Sequence, residues 1–174
     1  GGGEGGGDSQ DGPLTRSTGT GIRIVHGSID EIPVSVFANG QLIQSAQYAE
    51  STRYRRVSSG AVELFVQGVN APDFVFSSST VELKKNTEYS LFVFGSTSGG
   101  RAASILLEDP VVRSAETRGM IQVLNGYQGG GNLEVSSNVS GALGSAAFGG
   151  STGFTDVPSG VHSITVTRRG GGIV

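Results

Sequence analysis

No cysteine occurs anywhere in the chain. That excludes a disulfide framework and thiol chemistry, and a cysteine-free β domain is compatible with bacterial export. Charge is scarce: charged residues make up 16% of the 174, with a net charge of −3. A phosphate backbone is bound by a basic surface that releases counterions, so this balance argues against nucleic acid as a partner. Long apolar runs are missing too; the longest have the length of a strand, not of a membrane span. Helix formers are few, and no segment keeps a helical apolar period for long. What abounds is Gly, at 30 residues, with Val, Ser and Thr. That mixture favours short strands and tight turns.

The chain also repeats itself about a hundred residues on. IRIVHG at 22–27 returns as IQVLNG at 121–126, and VSV at 34–36 as LEV at 133–135, with Asn39 matched by Asn138. YAESTRY at 48–54 returns as FGGSTGF at 148–154, VSSG at 57–60 as VPSG at 157–160, and LFV at 64–66 as ITV at 164–166. A repeat of this length means two copies of one domain. Apolar alternation, aromatics and turns are kept, while almost no reactive side chain is, so the repeat specifies a scaffold.

Strands are expected at 22–26, 32–38, 61–67, 73–77, 80–83, 88–94 and 103–108 from β-branched and aromatic content. Val34, Val36 and Ala38 should face one way, Ser35 and Phe37 the other. Asn39-Gly40 predicts a tight hairpin turn, and 84–87 and 96–100 two further turns. About seven short strands describe an all-β chain of two tandem immunoglobulin/transthyretin-like β-sandwich domains. The division is a flexible Gly-rich tether over 1–21, a first sandwich over 22–112, a polar linker over 113–118 and a second copy over 119–174. Residues 1–21 hold too little apolar surface to offset the entropy of ordering. They suit a cloning linker or the spacer after a lipidated Cys lying upstream of Gly1. Val174 corresponds to about position 74 of the first copy. The expectation is therefore that more chain follows, or that another chain supplies the missing strands.

The stretch IRIVHGSIDEIPVSVFANG at 22–40 resembles a bacterial pattern, roughly V-R-V-V-H-x-S-P-D-A-P-x-V-D-V-Y-V-N-G. It is similar to the opening of the DUF4397 family of exported domains of unknown function. VSSG at 57–60 and LKKNTEYS at 83–90 resemble later features of that family. The resemblance covers roughly 22–112 and, more weakly, 119–174. The chain departs from it at Ile29 and Ile32, and copy two loses the His-x-Ser-x-Asp stretch. The resemblance implies tandem immunoglobulin- or transthyretin-like sandwiches on secreted or lipid-anchored envelope proteins, and it carries no established activity.

His26, Ser28, Asp30 and Glu31 form the one cluster that resembles chemistry, since a His near two carboxylates could hold a metal or act as a base. One His with adjacent acids lacks the convergent ligands of a zinc site. The structural reading is preferred: His26 ends a strand, and Ser28 or Asp30 bonds the turn backbone. His162 falls on an expected strand. Asp30, Glu31, Asp73 and Asp109 do not make a calcium loop. No nucleophile elbow is present, and the Gly-rich stretches at 129–131 and 170–172 lack a phosphate loop's Lys and helix. Asn138-Val139-Ser140 matches a glycosylation tripeptide, which occurs often by chance. Phe74, Phe76, Tyr89, Phe92 and Phe94 are expected in the core. Arg53, Tyr54, Arg55 and Arg56 make the main basic patch, with Arg168-Arg169 a lesser one. Arg beside Tyr could meet an anionic glycan, a lipid phosphate or a partner's carboxylates.

These observations lead to an expectation of a non-enzymatic cell-envelope or extracellular protein without cofactor or metal, with structural or adhesive work. It would assemble with copies of itself or other envelope proteins through strand edges, touching a membrane only through an upstream lipidated Cys. The alternative is a glycan- or peptide-binding module using loops near Arg53–Arg56.

Overall fold

A computed structural model of the chain describes residues 19–98, 100–110, 117–129 and 131–170. Residues 1–18 of the tether and 113–116 of the linker therefore lie outside the described residues. Thirteen strands and no helix occur among those described. Eight belong to the first unit: β1 (Gly21–His26), β2 (Val34–Ala38), β3 (Gln41–Ala46), β4 (Arg55–Arg56), β5 (Gly60–Gly68), β6 (Ala71–Leu83), β7 (Glu88–Phe94) and β8 (Ala103–Glu108). They form two four-stranded sheets, ordered β4-β1-β7-β8 and β3-β2-β5-β6. β1 runs parallel to β7, with Gly21 opposite Glu88 and His26 opposite Val93.

Period-two alternation gives each sheet one apolar face. Ile22, Ile24, Leu91 and Val93 from one sheet and Val34, Val36, Leu64 and Val66 from the other share one buried cluster. Asn39 and Gly40 have φ of 49° and 80°, as the expected tight turn between β2 and β3 requires. Several expectations need correction. β3 and β4 are additional, and with two expected strands merged the number is eight. The expected strands 73–77 and 80–83 are one strand, β6, because its pairing with β5 runs through Ser78 and Ser79 opposite Phe65 and Leu64. That pairing shifts register near Gln67, and Phe74 ends 39% exposed rather than in the core. Gly21, placed in the tether from sequence, opens β1.

The second unit contains β9 (Arg118–Ile121), β10 (Leu133–Ser137), β11 (Gly141–Ala146), β12 (Thr155–Pro158) and β13 (Ile164–Arg168). β9 pairs with β12, and β10 lies between β11 and β13. Arg118, expected in the linker, opens β9, and His162 precedes β13 instead of lying on a strand. Repeat-related positions keep their bonds. Thr52 N–H donates to the Ile24 carbonyl at 2.9 Å, as Thr152 N–H does to that of Val123 at 2.9 Å. Both β2/β3 and β10/β11 carry a register shift, after Val36 and after Val135.

β7 is buried along its whole length. The second unit helps to cover Phe92 and Phe94, whose side chains point away from the shared cluster. Phe148 meets Phe94 edge-on at 5.2 Å. Added Cβ atoms at Gly126 and Gly149 would lie 3.1 Å from the Phe92 ring and 2.8 Å from the Phe94 ring. Arg101 lies over Phe148 at 5.4 Å and donates to the Gln128 carbonyl at 3.2 Å.

Candidate functional site

His26 closes β1 and is 1% exposed. Its Nε2 donates to the Ile32 carbonyl at 2.6 Å, and its Nδ1 accepts from Ser28 N–H at 3.2 Å. A donor at one ring nitrogen and an acceptor at the other define the neutral Nε2–H tautomer. The repeat-related position holds Asn125, also 1% exposed. Its Nδ2 donates to the Gly131 carbonyl at 3.3 Å, and its Oδ1 accepts from Tyr127 N–H at 2.9 Å. The imidazole and the amide therefore clamp equivalent turns. The side-chain types differ while the hydrogen-bond pattern is kept.

Ser28 is buried and donates to the Gly95 carbonyl at 2.7 Å. Asp30 accepts from Ser96 Oγ at 2.6 Å, Thr97 N–H at 2.8 Å and Thr97 Oγ1 at 3.0 Å. Burial pushes its pKa up, but these hydrogen bonds outweigh it and hold the carboxyl below its ordinary value. Glu31 is exposed with φ of 57°. Both His26 nitrogens and both Asp30 oxygens thus serve the polypeptide itself. Among the described residues, no three His, Asp or Glu side chains converge as a metal site. Asp73 lies on β6, while Asp109 follows β8 in a different setting described below. His162 bonds Ser137 Oγ at 2.8 Å and the Pro158 carbonyl at 2.7 Å.

The structure separates the members of the Arg-Tyr patch. Arg53 and Arg55 are exposed, Arg56 is half-buried and Tyr54 is 1% exposed. Arg56 donates to the Gly19 carbonyl at 3.1 Å and borders a cleft of about 160 Å³ with Asn39, Gln41 and Ser58. The Tyr54 hydroxyl donates to Asp109 Oδ2. Ser90 Oγ donates to the same carboxylate at 2.7 and 2.9 Å and accepts from Arg23 Nε at 2.6 Å. Arg23 also pairs with Asp109 at 3.5 Å and covers the Tyr54 ring at 5.2 Å. Burial, then the hydrogen bond and charge of Asp109, push the Tyr54 pKa well up, so the phenol remains a donor. Neighbouring Glu88 also has its pKa raised: burial dominates, Arg56 opposes it and Asp109 adds to it. Sequence reasoning missed this network because Tyr54 and Asp109 are 55 positions apart. It joins β1, β7 and the chain after β8, and its geometry is that of an internal tie.

The architecture defines a class: an all-β scaffold whose buried polar groups hold its own loops. Within that class the chain belongs to the family described as domain of unknown function DUF4397, whose sequence profile matches residues 20–136. The match runs past the linker through β9 and nearly all of β10. No curated protein matches the chain.

Proposed function

We propose that this chain is a non-enzymatic structural module of an exported, envelope-attached or extracellular protein. In this reading it is built as tandem immunoglobulin/transthyretin-like sandwiches, and its second unit is completed by added strands. The observation that carries the reading is the contrast between equivalent positions. Leu64 is 2% exposed and Ile164 38%; Tyr54 is 1% exposed and Phe154 38%. Ile22, Ile24 and Val66 are all at 0%, while Ile121, Val123 and Val166 are only partly buried. In the first unit, β5 is paired by β6, and β1 by β7. Among the described residues, β13 and β9 have no such neighbours. An open edge beside apolar side chains is a template for strand addition. The strands would come from another copy or from elsewhere in the same polypeptide.

The resemblance to exported domains supports export, and the composition is compatible with it. The test of self-assembly is sedimentation of the 1–174 chain over a dilution series. Association that persists on dilution and is lost in Ile164→Lys supports completion between copies. A folded monomer at all concentrations refutes self-assembly.

A further inference from the structure

The sheet β3-β2-β5-β6 has a second face, turned away from the shared core. There Leu42, Phe37, Phe65 and Ser78 stand opposite one another in a single cross-strand row. The Phe37 and Phe65 ring centroids are 6.3 Å apart, and Leu42 is 58% exposed. We propose that this row is a binding platform for an uncharged polysaccharide, and that it recognises the C–H face of pyranose rings.

Three observations carry the proposal. The second unit is an internal control: the positions related by the repeat are Ala142, Ser136 and Thr165, in one row of the same register. There the face forms a shallow depression of about 430 Å³ bordered by Ser136, Ala142 and Thr167. The scaffold therefore folds without bulk in this row, and the two aromatic rings and the leucine of the first unit are additions to it.

The neighbouring rows are suited to sugar hydroxyls. On one side the next row is Ser45, Ser35, Gln67 and Val75. Ser35 is buried with its hydroxyl bonded to Ser45 Oγ at 3.0 Å, leaving Ser45 and Gln67 to meet a ligand. On the other side stand Glu63 and Thr80. The apolar row crosses three strands over about 10 Å, the length of a short saccharide, and the polar rows run alongside it. Such a surface offers ring packing in the middle and hydrogen bonds at both margins.

Charge selects the occupant. β2, β3, β5 and β6 carry no Lys or Arg, and their charged residues are Glu63, Asp73 and Glu82. Carboxylates without a cation disfavour anionic glycans and phosphate headgroups, and they disfavour stacking of this face on itself. A neutral glycan meets no such opposition. The platform lies on the first unit, so the proposal stands or falls independently of strand completion in the second.

The test is depletion of the 1–174 chain by microcrystalline cellulose, curdlan and chitin, with alginate as the anionic control. The variant is Leu42→Ala/Phe37→Ser/Phe65→Thr, which copies residues the second unit already tolerates. Binding to at least one neutral polymer but not alginate is expected, weakened about tenfold or more in the variant. Phe65→Tyr, which keeps the ring, should retain binding and guards against a folding defect in the triple variant. Absence of binding to all three neutral polymers overturns the proposal, as does binding the triple variant leaves unchanged. Self-association lost in the triple variant, without glycan binding, overturns it in favour of a contact between copies.

Discussion

Asp30 and Glu88 shift in opposite directions, and the difference is measurable. Asp30 has its pKa lowered from 3.8, so its stabilising contribution is present above that value and is lost as pH falls through the folded value. Asp30→Asn should cost about 1–2 kcal/mol at neutral pH, and the gap to wild type should narrow in acid. Glu88 has its pKa raised from 4.5, so its contribution is full below 4.5 and is lost as pH rises through the folded value. Glu88→Gln should therefore be more stable than wild type at neutral pH, with the two converging in acid. Urea melts from pH 3 to 7 read both; parallel pH profiles for all three proteins would contradict the assignments. For the turn clamp, His26→Asn places in the first unit the residue that serves in the second. It should cost about 1 kcal/mol or less, against about 2–4 kcal/mol for His26→Ala, which leaves buried backbone groups unpaired. Equal losses on thermal melting would show that hydrogen bonding at this position is not what matters.

At the scale of elements, turns divide into those that need only a backbone angle and those that also need space. Gly40 has φ of +80° with nothing near its added Cβ, whereas Gly95 has φ of +79° and an added Cβ there would lie 1.9 Å from the Arg101 carbonyl. Gly40→Ala should cost about 1–2 kcal/mol from conformation alone. Gly95→Ala should cost more, because the loop held by Ser28 and Asp30 must also move. Similar melting points for the two variants would argue that this loop yields freely. The strands with strong apolar alternation, β1, β2, β5 and β7, were legible because local pattern and tertiary burial agree in them. β4 was not, since Arg55 and Arg56 are a strand only through Gly21 and Ile22 opposite. The Ser-rich middle of β6 reads locally as a break, and pairing with β5 overrides it. Of the candidate cluster, the turn-holding part of His26, Ser28 and Asp30 was legible in side-chain chemistry. The equivalence of His26 with Asn125 was not, because only geometry relates an imidazole to an amide. Tyr54 beside three arginines suggested a surface, and its burial depends on Asp109 far along the chain. The row of Leu42, Phe37 and Phe65 likewise exists only after three strands are in register.

The whole molecule is uneven in strength. Among the described residues, thirteen buried side chains make the first unit's cluster, and Val135, Leu143 and Val157 make that of the second. Stability scales with apolar burial, so the units should open at different free energies. Native-state hydrogen exchange should show the β7 amides protected far longer than those of β10. One common exchange rate for both would mean that the contacts of Phe92 and Phe94 with the second unit merge them into one cooperative block.

The pairing of β1 with β7 has a mechanical consequence. Gly21 faces Glu88, and Asp109 N–H donates to the Glu88 carbonyl at 2.8 Å, so the two ends of the first unit leave from the same end of the sheet, on either side of β7. Tension applied between those ends pulls across the strands instead of along them. The bonds flanking β7 then bear load one pair at a time, as a zip does. Under a steady pull the unit would lengthen by peeling open from that end, and it would close again in the reverse order when the load is released.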